Sequence, residues 1–475
     1  MNDSGISKTK QTIRYLAADL LTGALAFWIF DIIRYYFLRE YQNGYPNLWI
    51  FLGSTKLVIE QCVVPVCLLS IYWLSGYYNK PFNKSRLQEF NTTFFSAVIN
   101  TVLIYLVLLI NDQTGKRIIN YEIIMILFGL LFSLTYIARV FITGFAIHHF
   151  RKNIWHINVL IMGNSPVSRK TAEQLRNVRR NVKYQIEGFV EIPGEKSVKD
   201  DQNIIPFEKF KEVYDQGGIN QVILAPEDRD DKKVMGLLDI LFPLEIPVKI
   251  SPDTFSFVTS AIRLQDIYGE PFIDLTGPSL SEASKNIKRS FDVGFSLLML
   301  ILLSPLYAFL ALSVKLTSKG PVIYSQERIG KFQKPFKIRK FRTMYTNAEE
   351  MGPQLSSEMD PRITKSGRWM RKYRLDELPQ FWNVLIGEMS IVGPRPEREF
   401  YIRQIITQAP YYTLVCQVRP GITSWGMVKY GYASTISQMV ERTRYDLIYL
   451  ANMSLSVDCK ILLYTLRTVL GGKGL

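Results

Sequence analysis

The chain has 475 residues, 48% of them hydrophobic, and a formal charge of +15. That length allows about three domains, and so large a basic excess means either nucleic acid or a membrane surface with phosphate-bearing ligands. Long apolar runs select the membrane and exclude a nucleic-acid partner, because a chain of spans with an acidic pair fits poorly with a polyanion groove.

Four apolar stretches precede residue 151, at Ile13–Leu38, Leu48–Leu74, Phe90–Ile110 and Tyr121–Ile147. Each exceeds the ~20 residues that cross a bilayer as a helix. No short leader pattern with a small-residue cleavage site precedes them, so the first is read as an anchor. Lys8, Lys10 and Arg14, then Lys80, Lys84 and Arg86, then Arg151 and Lys152 mark three cytoplasmic flanks. The opposite loops, with Arg39 and Glu40 and with Asp112, Lys116 and Arg117, carry a weaker balance. Asp19, Asp31, Arg34, Lys56, Glu60 and Arg139 lie within the stretches; without Gly/Pro-broken half-helices to mark a transport path, they are expected to pair inside a four-helix bundle. Cys62 and Cys67 sit in a span and Cys416 and Cys459 stand apart, which gives no disulfide framework and no Cys-rich metal site.

Residues 151–268 alternate short apolar strands with polar helical runs, the pattern of a parallel α/β sheet of Rossmann-like type. The first strand ends in Gly163, but Gly163-Asn-Ser-Pro-Val-Ser168 keeps only one glycine of the dinucleotide fingerprint, and Ser165 obstructs the close approach a pyrophosphate requires. The module therefore reads as a scaffold, dimerisation or regulatory unit. Glu227–Lys233 reads as a solvated helix start. Residues 269–284, with Gly269, Pro271, Gly277 and Pro278, read as a linker.

The next apolar helix, about residues 289–314, has basic residues at both ends and Ser304-Pro305 at its midpoint. A straight span would show a charge bias between its ends, and Pro removes a helix hydrogen bond and bends the axis. The segment is thus expected to enter the membrane, turn at Ser304-Pro305 and return to the same face, with the Ser304 hydroxyl offering a partner to the freed carbonyls.

Lys and Arg dominate from Lys315 to Arg374, and Arg368-Trp-Met-Arg-Lys-Tyr373 suits a helix lying in the headgroup layer. Phe336–Met344 reads as a strand whose period of two puts Ile338, Lys340 and Arg342 on one face. Asp376 and Glu377 then follow, two adjacent carboxylates able to share one Mg²⁺ with substrate phosphates. Taken alone, Asp376 could equally cap a helix with Pro379 in its first turn. Arg395 lies between Pro394 and Pro396, on a stiff extended turn that aims its guanidinium, a suitable partner for phosphate oxygens. The three histidines, His148, His149 and His156, all precede this region, which leaves a carboxylate, a hydroxyl or the substrate itself as nucleophile.

Residues 285–475 resemble the monotopic polyprenyl-phosphate phosphoglycosyl transferases, the bacterial sugar transferases. The motifs that carry the resemblance are Lys288-Arg289 with Asp292, Ser304-Pro305, Gln326-Glu-Arg328-Ile-Gly330, Lys340-Phe-Arg-Thr-Met344, Asp360-Pro-Arg362, Leu375-Asp-Glu-Leu-Pro379, Gly393-Pro-Arg-Pro396 and Arg419-Pro-Gly-Ile-Thr423. Four spans and a Rossmann-like module before them are similar to the long-chain branch of that family. The resemblance implies a multidomain α and α/β membrane protein: a four-helix transmembrane domain (1–150), a degenerate Rossmann-like module (151–268), a linker (269–284) and a mainly α catalytic domain (285–475) with a re-entrant helix.

It further implies transfer of a hexose 1-phosphate from a UDP-sugar to undecaprenyl phosphate, with release of UMP, at the cytoplasmic face of a bacterial inner membrane, by a homodimer. By the same resemblance Asp376 is the nucleophile, and Glu377 helps Asp376 hold Mg²⁺. Arg371 and Arg395, assisted by Lys340 and Arg342, bind phosphate. Lys288, Arg289, Asp292, Ser304 and Pro305 shape the membrane helix, and Gln326, Arg328, Arg419, Gly421 and Thr423 are candidates for holding the nucleotide. Ser424-Trp425-Gly426 replaces the small residue and Gly that usually follow the last motif, which leaves recognition of the sugar or uridine open. A non-catalytic membrane scaffold and a membrane-anchored nucleotide-sugar oxidoreductase or epimerase are the alternatives; the broken glycine pattern and a missing Tyr-x-x-x-Lys pair weigh against the latter.

Overall fold

The computed structural model describes residues 7–38, 46–82, 84, 86–109, 117–177, 183–195, 197–198, 203–227, 231–250, 273–274, 280–348, 360–431 and 433–471. Arg39, Glu40, Asp112 and Lys116, the middle of the Glu227–Lys233 run and the expected linker glycines and prolines lie outside them. The chain gathers into two compact units: Met1–Asn158 with Arg176–Gln185 and Ser281–Ile287, and Val159–Leu175 with Ile186–Leu280 and Lys288–Leu475.

In the first unit four helices are long and apolar enough to cross a membrane, at Lys8–Phe37, Thr55–Leu74, Arg86–Leu108 and Tyr121–Arg151. The second expected stretch is not continuous. It breaks at Gly53-Ser54, and a short helix, Leu48–Leu52, precedes it with Asn47 capping the amide of Ile50. The charges expected within the spans find each other. Arg139 and Asp19 are both fully buried and form a two-pronged pair at 2.9 and 2.7 Å, joined by the hydroxyls of Tyr78 and Thr93. Arg34 lies between Asp31 and Glu60 at 3.4 and 3.3 Å. A desolvated charge needs such a partner, because removing one member strands the other in a low-dielectric interior.

In the second unit a six-stranded sheet has the order β3-β2-β1-β4-β5-β6, with β1 Ile157–Met162, β2 Tyr184–Val190, β3 Ile204–Ile205, β4 Gln221–Leu224, β5 Val248–Ile250 and β6 Ile273–Asp274. The pairs β1–β4, β2–β3 and β4–β5 are parallel, and β5–β6 is antiparallel. The apolar runs of β1 and β4 are buried throughout their paired lengths, as strands covered on both faces require. Gly163 has a φ of +126°, and a Cβ there would lie 2.4 Å from the Ala225 carbonyl oxygen. This glycine thus serves strand packing. Ser165 and Ser168 are buried in the crook beyond it, bonded to each other at 3.2 Å, and Ser168 donates to Ala225 O at 2.8 Å. The hydroxyls occupy the place where a second glycine would open a phosphate turn.

The sheet shares one apolar core with the C-terminal region: Leu160, Val222, Leu238 and Phe242 pack with Tyr401, Ile405, Tyr412 and Met439. The helices Glu282–Leu302 and Ser304–Thr317 meet at a bend of 64°. Pro305 lacks the N–H that would continue the ladder. The expected service of Ser304 is not found, since its exposed hydroxyl bonds to no group among the described residues; its neighbours sustain the turn through Leu303 N to Met299 O at 3.0 Å and Tyr307 N to Leu303 O at 2.9 Å.

The basic residues at both ends of the bent pair predict that the chain returns to the face it left. With the native cysteines replaced by Ser, single cysteines at the exposed positions Ser290 and Lys319 are expected to react with an impermeant thiol reagent from the same side of the membrane. Labelling from opposite sides would show a continuous span.

Candidate active site

The site is built on a hairpin, a tight helical turn and a proline-bounded loop. β7 (Ile323–Ile329) pairs antiparallel with β8 (Pro335–Phe341), opposing Tyr324 to Lys340 and Gln326 to Ile338. Arg374 adopts the left-handed conformation at φ 53° and starts the single 3-10 turn Leu375–Glu377, so Asp376 and Glu377 are presented on a sharp corner before the helix Gln380–Ile386. Asp376 is therefore not the cap of that helix; Pro379 takes the position. Behind the loop Pro394–Pro396, β9 (Ser390–Val392) runs parallel to β10 (Gly421–Thr423).

These elements enclose a cavity of about 510 Å³. Asp376 and Glu377 lie on its wall, both buried. Glu377 is caged: Lys340 Nζ is 3.2 Å and Arg395 Nη2 3.4 Å from Oε1, and Arg374 Nη1 is 3.1 Å from Oε2. Asp376 accepts no hydrogen bond and forms no ion pair among the described residues. Arg371 anchors its Nε on Thr343 Oγ1 at 2.9 Å, while its two terminal nitrogens have no hydrogen-bond partner among the described residues. The site thus holds one neutralised carboxylate, one bare carboxylate and one guanidinium edge turned to the cavity.

The electrostatics follow from that arrangement. Burial, and then the negative charge of Glu377, push the Asp376 carboxyl above the usual carboxylate range, against the pull of Lys340, Arg371 and Arg374. Burial also acts to raise Glu377, but Lys340, Arg374 and Arg395 overcome it and hold that carboxyl well below its ordinary value. Lys340 is lowered by burial, with Glu377 opposing and Arg395 adding to the effect. Adjacent carboxylates in unequal surroundings separate in this way.

The expected site residues divide into two groups. Lys340, Arg371, Arg395, Gln326 and Arg328 line the cavity with the acidic pair. Arg342 borders it too, but its guanidinium is tied to the carbonyls of Ser318 and Lys319 at 2.7 Å each, which locks the end of the bent helix pair. Arg419, Gly421 and Thr423 are not part of the wall. Arg419 donates to Gly387 O at 2.7 Å, at the end of the helix Gln380–Ile386, while Gly421 N donates to Pro394 O at 2.8 Å and Gly393 N to Thr423 O at 3.0 Å, so Gly421 and Thr423 brace the arginine loop from behind. Lys288 bonds Asp458 and Val392 O, Arg289 caps the carbonyls of Val384 and Leu385, and Asp292 accepts from Ser390 Oγ and Ile391 N. The foot of the membrane helix is thereby fastened to the helix that follows the acidic pair. Tyr307, on the far side of the bend, donates to Leu378 O at 2.7 Å.

Several wall residues were not singled out by the sequence. Arg374 stands three residues before Glu377, a spacing that could have suggested the contact. Glu397 follows the Gly-Pro-Arg-Pro motif directly and pairs with Arg328 at 3.2 Å and with Arg442. Arg442 carries no local signal, because it reaches the site from the distant helix Ile436–Ala451. Arg362, from the Asp360-Pro-Arg362 motif that carries the resemblance, lies on the wall as well and is held two-pronged by Asp360.

Residues 283–472 match the family model described as bacterial sugar transferase. The chain is 38% identical over 251 residues to the UDP-glucose:undecaprenyl-phosphate glucose-1-phosphate transferase of Escherichia coli, covering 52% of this chain and 54% of the relative. It is 42% identical over 188 residues to the UDP-N-acetylgalactosamine-undecaprenyl-phosphate N-acetylgalactosaminephosphotransferase of Aeromonas hydrophila, 40% of this chain and 44% of the relative. Against the UDP-glucose:undecaprenyl-phosphate glucose-1-phosphate transferase of Caulobacter vibrioides it is 38% identical over 187 residues, 38% of this chain and 69% of the relative. The chain spans about half the length of the first of these relatives.

The charge arrangement predicts a pH-dependent stability change. Asp376 has a raised carboxyl, so its ionisation costs stability as pH climbs from its ordinary 3.8 through the higher folded value, and costs nothing below 3.8. Asp376→Asn should raise Tm at pH 7.5, because the variant has no ionised carboxylate to bury. The gain should shrink as pH approaches 4. Scanning calorimetry of both proteins at several pH values checks the sign.

Proposed function

The chain belongs to the bacterial sugar transferase family, and we propose that it transfers a hexose 1-phosphate from a UDP-sugar to undecaprenyl phosphate through an aspartyl-phosphosugar intermediate, with release of UMP. The observation that supports this most directly is the asymmetry of the acidic pair: Glu377 is neutralised by three cations, while Asp376 faces the cavity without an ion-pair or hydrogen-bond partner among the described residues. A carboxylate oxygen of Asp376 attacks the sugar-linked phosphorus, and the bond to the bridging oxygen breaks as UMP departs. An oxygen of undecaprenyl phosphate then attacks the same phosphorus, forms the lipid-linked diphosphate sugar and returns Asp376 to its ionised form.

The remaining residues position and neutralise. Arg371 meets the transferred phosphoryl oxygens with its open edge. Lys340 and Arg395, already aligned by Glu377, offer further donors to the diphosphate. Phosphoryl transfer depends chiefly on such placement and charge compensation, and cations fixed by a neighbouring carboxylate need no reorganisation when the substrate enters. Arg328, held by Glu397 at 3.2 Å, and Gln326 face the same space and suit the nucleotide end.

Mg²⁺ fits the donors present. No group of three or more His, Cys, Asp or Glu able to hold a metal exists among the described residues, yet this ion is commonly held by one or two carboxylates with substrate phosphates and water completing its shell. Asp376 and Glu377 are the residues that would hold it, and the chemistry it would supply there is neutralisation of charge on phosphate oxygens.

In this reading the site works beside the headgroups at the cytoplasmic face of the bacterial inner membrane, where a lipid phosphate meets a soluble nucleotide sugar, and the chain acts as a homodimer that starts exopolysaccharide, capsule or O-antigen synthesis; the bent apolar helix pair next to the site supports the membrane setting.

Incubating the purified chain with radiolabelled UDP-hexose and Mg²⁺, without lipid phosphate, should release UMP and leave label on the protein. Asp376→Asn should carry no label and lose turnover on the order of 10⁴–10⁶-fold. Full turnover in that variant would remove Asp376 as nucleophile.

A further inference from the structure

The tip of the hairpin that carries Lys340 is not held by its own sequence. Phe332 and Gln333 adopt the left-handed conformation in succession, at φ 56° and 58°, a region that a residue with a Cβ occupies reluctantly. Within the turn, Gly330 N donates to Lys334 O at 2.9 Å and Lys334 N to Lys331 O at 3.2 Å. The hairpin is a two-stranded sheet, so no further strand fixes its tilt. Contacts from outside the hairpin must do so. The Asn383 side chain holds β8 at Lys337 O and Arg339 N, and the backbone bond from Ile329 N to Glu397 O at 3.0 Å holds the end of β7.

The anchor of the turn comes from the sheet module. Asp239, on the helix Asp231–Leu241, accepts with the same oxygen, Oδ1, from Gln333 Nε2 at 2.6 Å and from Thr413 Oγ1 at 3.1 Å. Lys334 pairs with Glu245 at 2.8 Å beside it, on the surface. One acceptor therefore ties the strained turn to the Pro410–Gln417 segment. Both tethered elements lead to the cavity. From the turn, β7 carries Gln326 and Arg328 to its wall and β8 carries Lys340; the Pro410–Gln417 segment packs in the same apolar core as Tyr401 and Met439, which also line it.

We propose that Asp239 is a positioning residue for the site, through which the sheet module sets the tilt of the β7–β8 hairpin and with it the placement of Lys340 and Arg328 around the substrate diphosphate. Asp239 is not part of the cavity wall and touches no reacting atom. Its effect on substrate rests on the UDP-sugar reading above; its effect on the hairpin does not.

The test uses the full chain in nanodiscs as wild type, Asp239→Ala and Asp239→Asn. Asn keeps an oxygen where both donors point, and Ala does not. For Asp239→Ala the KM for UDP-hexose should rise about tenfold, with kcat changed much less, and Asp239→Asn should stay near wild type. Hydrogen exchange should quicken at the amides of β7 and β8 in Asp239→Ala while β9 and β10 keep their protection. An unchanged KM with unchanged hairpin exchange overturns the proposal. So does equal impairment of the Asn and Ala variants, or exchange that quickens throughout the unit, the mark of general destabilisation. Should wild type transfer no sugar from any UDP-hexose, the proposed reaction fails, and the exchange comparison alone decides the role of Asp239.

Discussion

Two adjacent carboxylates buried in one wall impose the charge balance on which the remainder of the site depends. Like charges so close cannot both be stabilised by the same surroundings. The structure resolves the conflict by giving Glu377 three cations and Asp376 none at contact distance. The cations are in turn oriented by the carboxylate they neutralise, so one cluster serves as a source of positive potential and as the frame that aims it. Arg395 illustrates the economy of the arrangement: prolines on both sides fix its backbone, and Glu377 fixes its guanidinium.

The bent helix pair and the acidic turn are fastened together as one piece. Arg289 on the entering helix caps Val384 and Leu385, Tyr307 beyond the bend binds Leu378 O, and Arg342 closes on Ser318 and Lys319 where the pair ends. Leu378 O and Val384 O also accept from the local amides of Phe381 and Gly387, so these side chains add second donors at the ends of short helical turns and tie them to the bent pair. The sheet module is joined to this body by an apolar core rather than a strand or a linker alone, which makes it a wall support for the cavity as well as a folded element in its own right.

The sequence made much of this legible. Apolar runs longer than a bilayer's thickness announced the four spans, although the second proved shorter because Gly53-Ser54 interrupts it. The pairing of Asp19 with Arg139 and of Arg34 with Asp31 and Glu60 followed from the rule that a desolvated charge needs a partner, though Asp19 and Arg139 stand 120 positions apart and Arg34 and Glu60 26 apart, so those pairs could not be named in advance. Alternating strands and helices gave the parallel sheet, and Ser165 signalled that its glycine turn is closed. The period of two in Lys340 and Arg342 suggested a shared face; the chain leaves the strand at Phe341, and Arg342 turns to the bent helix instead.

What the sequence determined by itself were the quantities that depend on local order: the length of apolar runs, the bend at a proline, and a carboxylate pair beside a rigid arginine turn. Helix and strand periodicities, and the missing N–H of proline, act over a few residues and are written in the chain directly. Tertiary structure alone decided which cations meet Glu377, that Asp376 is left bare, that Gly421 and Thr423 brace the loop from behind, and that Asp239 grips the hairpin tip. Those outcomes depend on distances between segments far apart in sequence, and such distances are set only when a common core fixes where each segment ends.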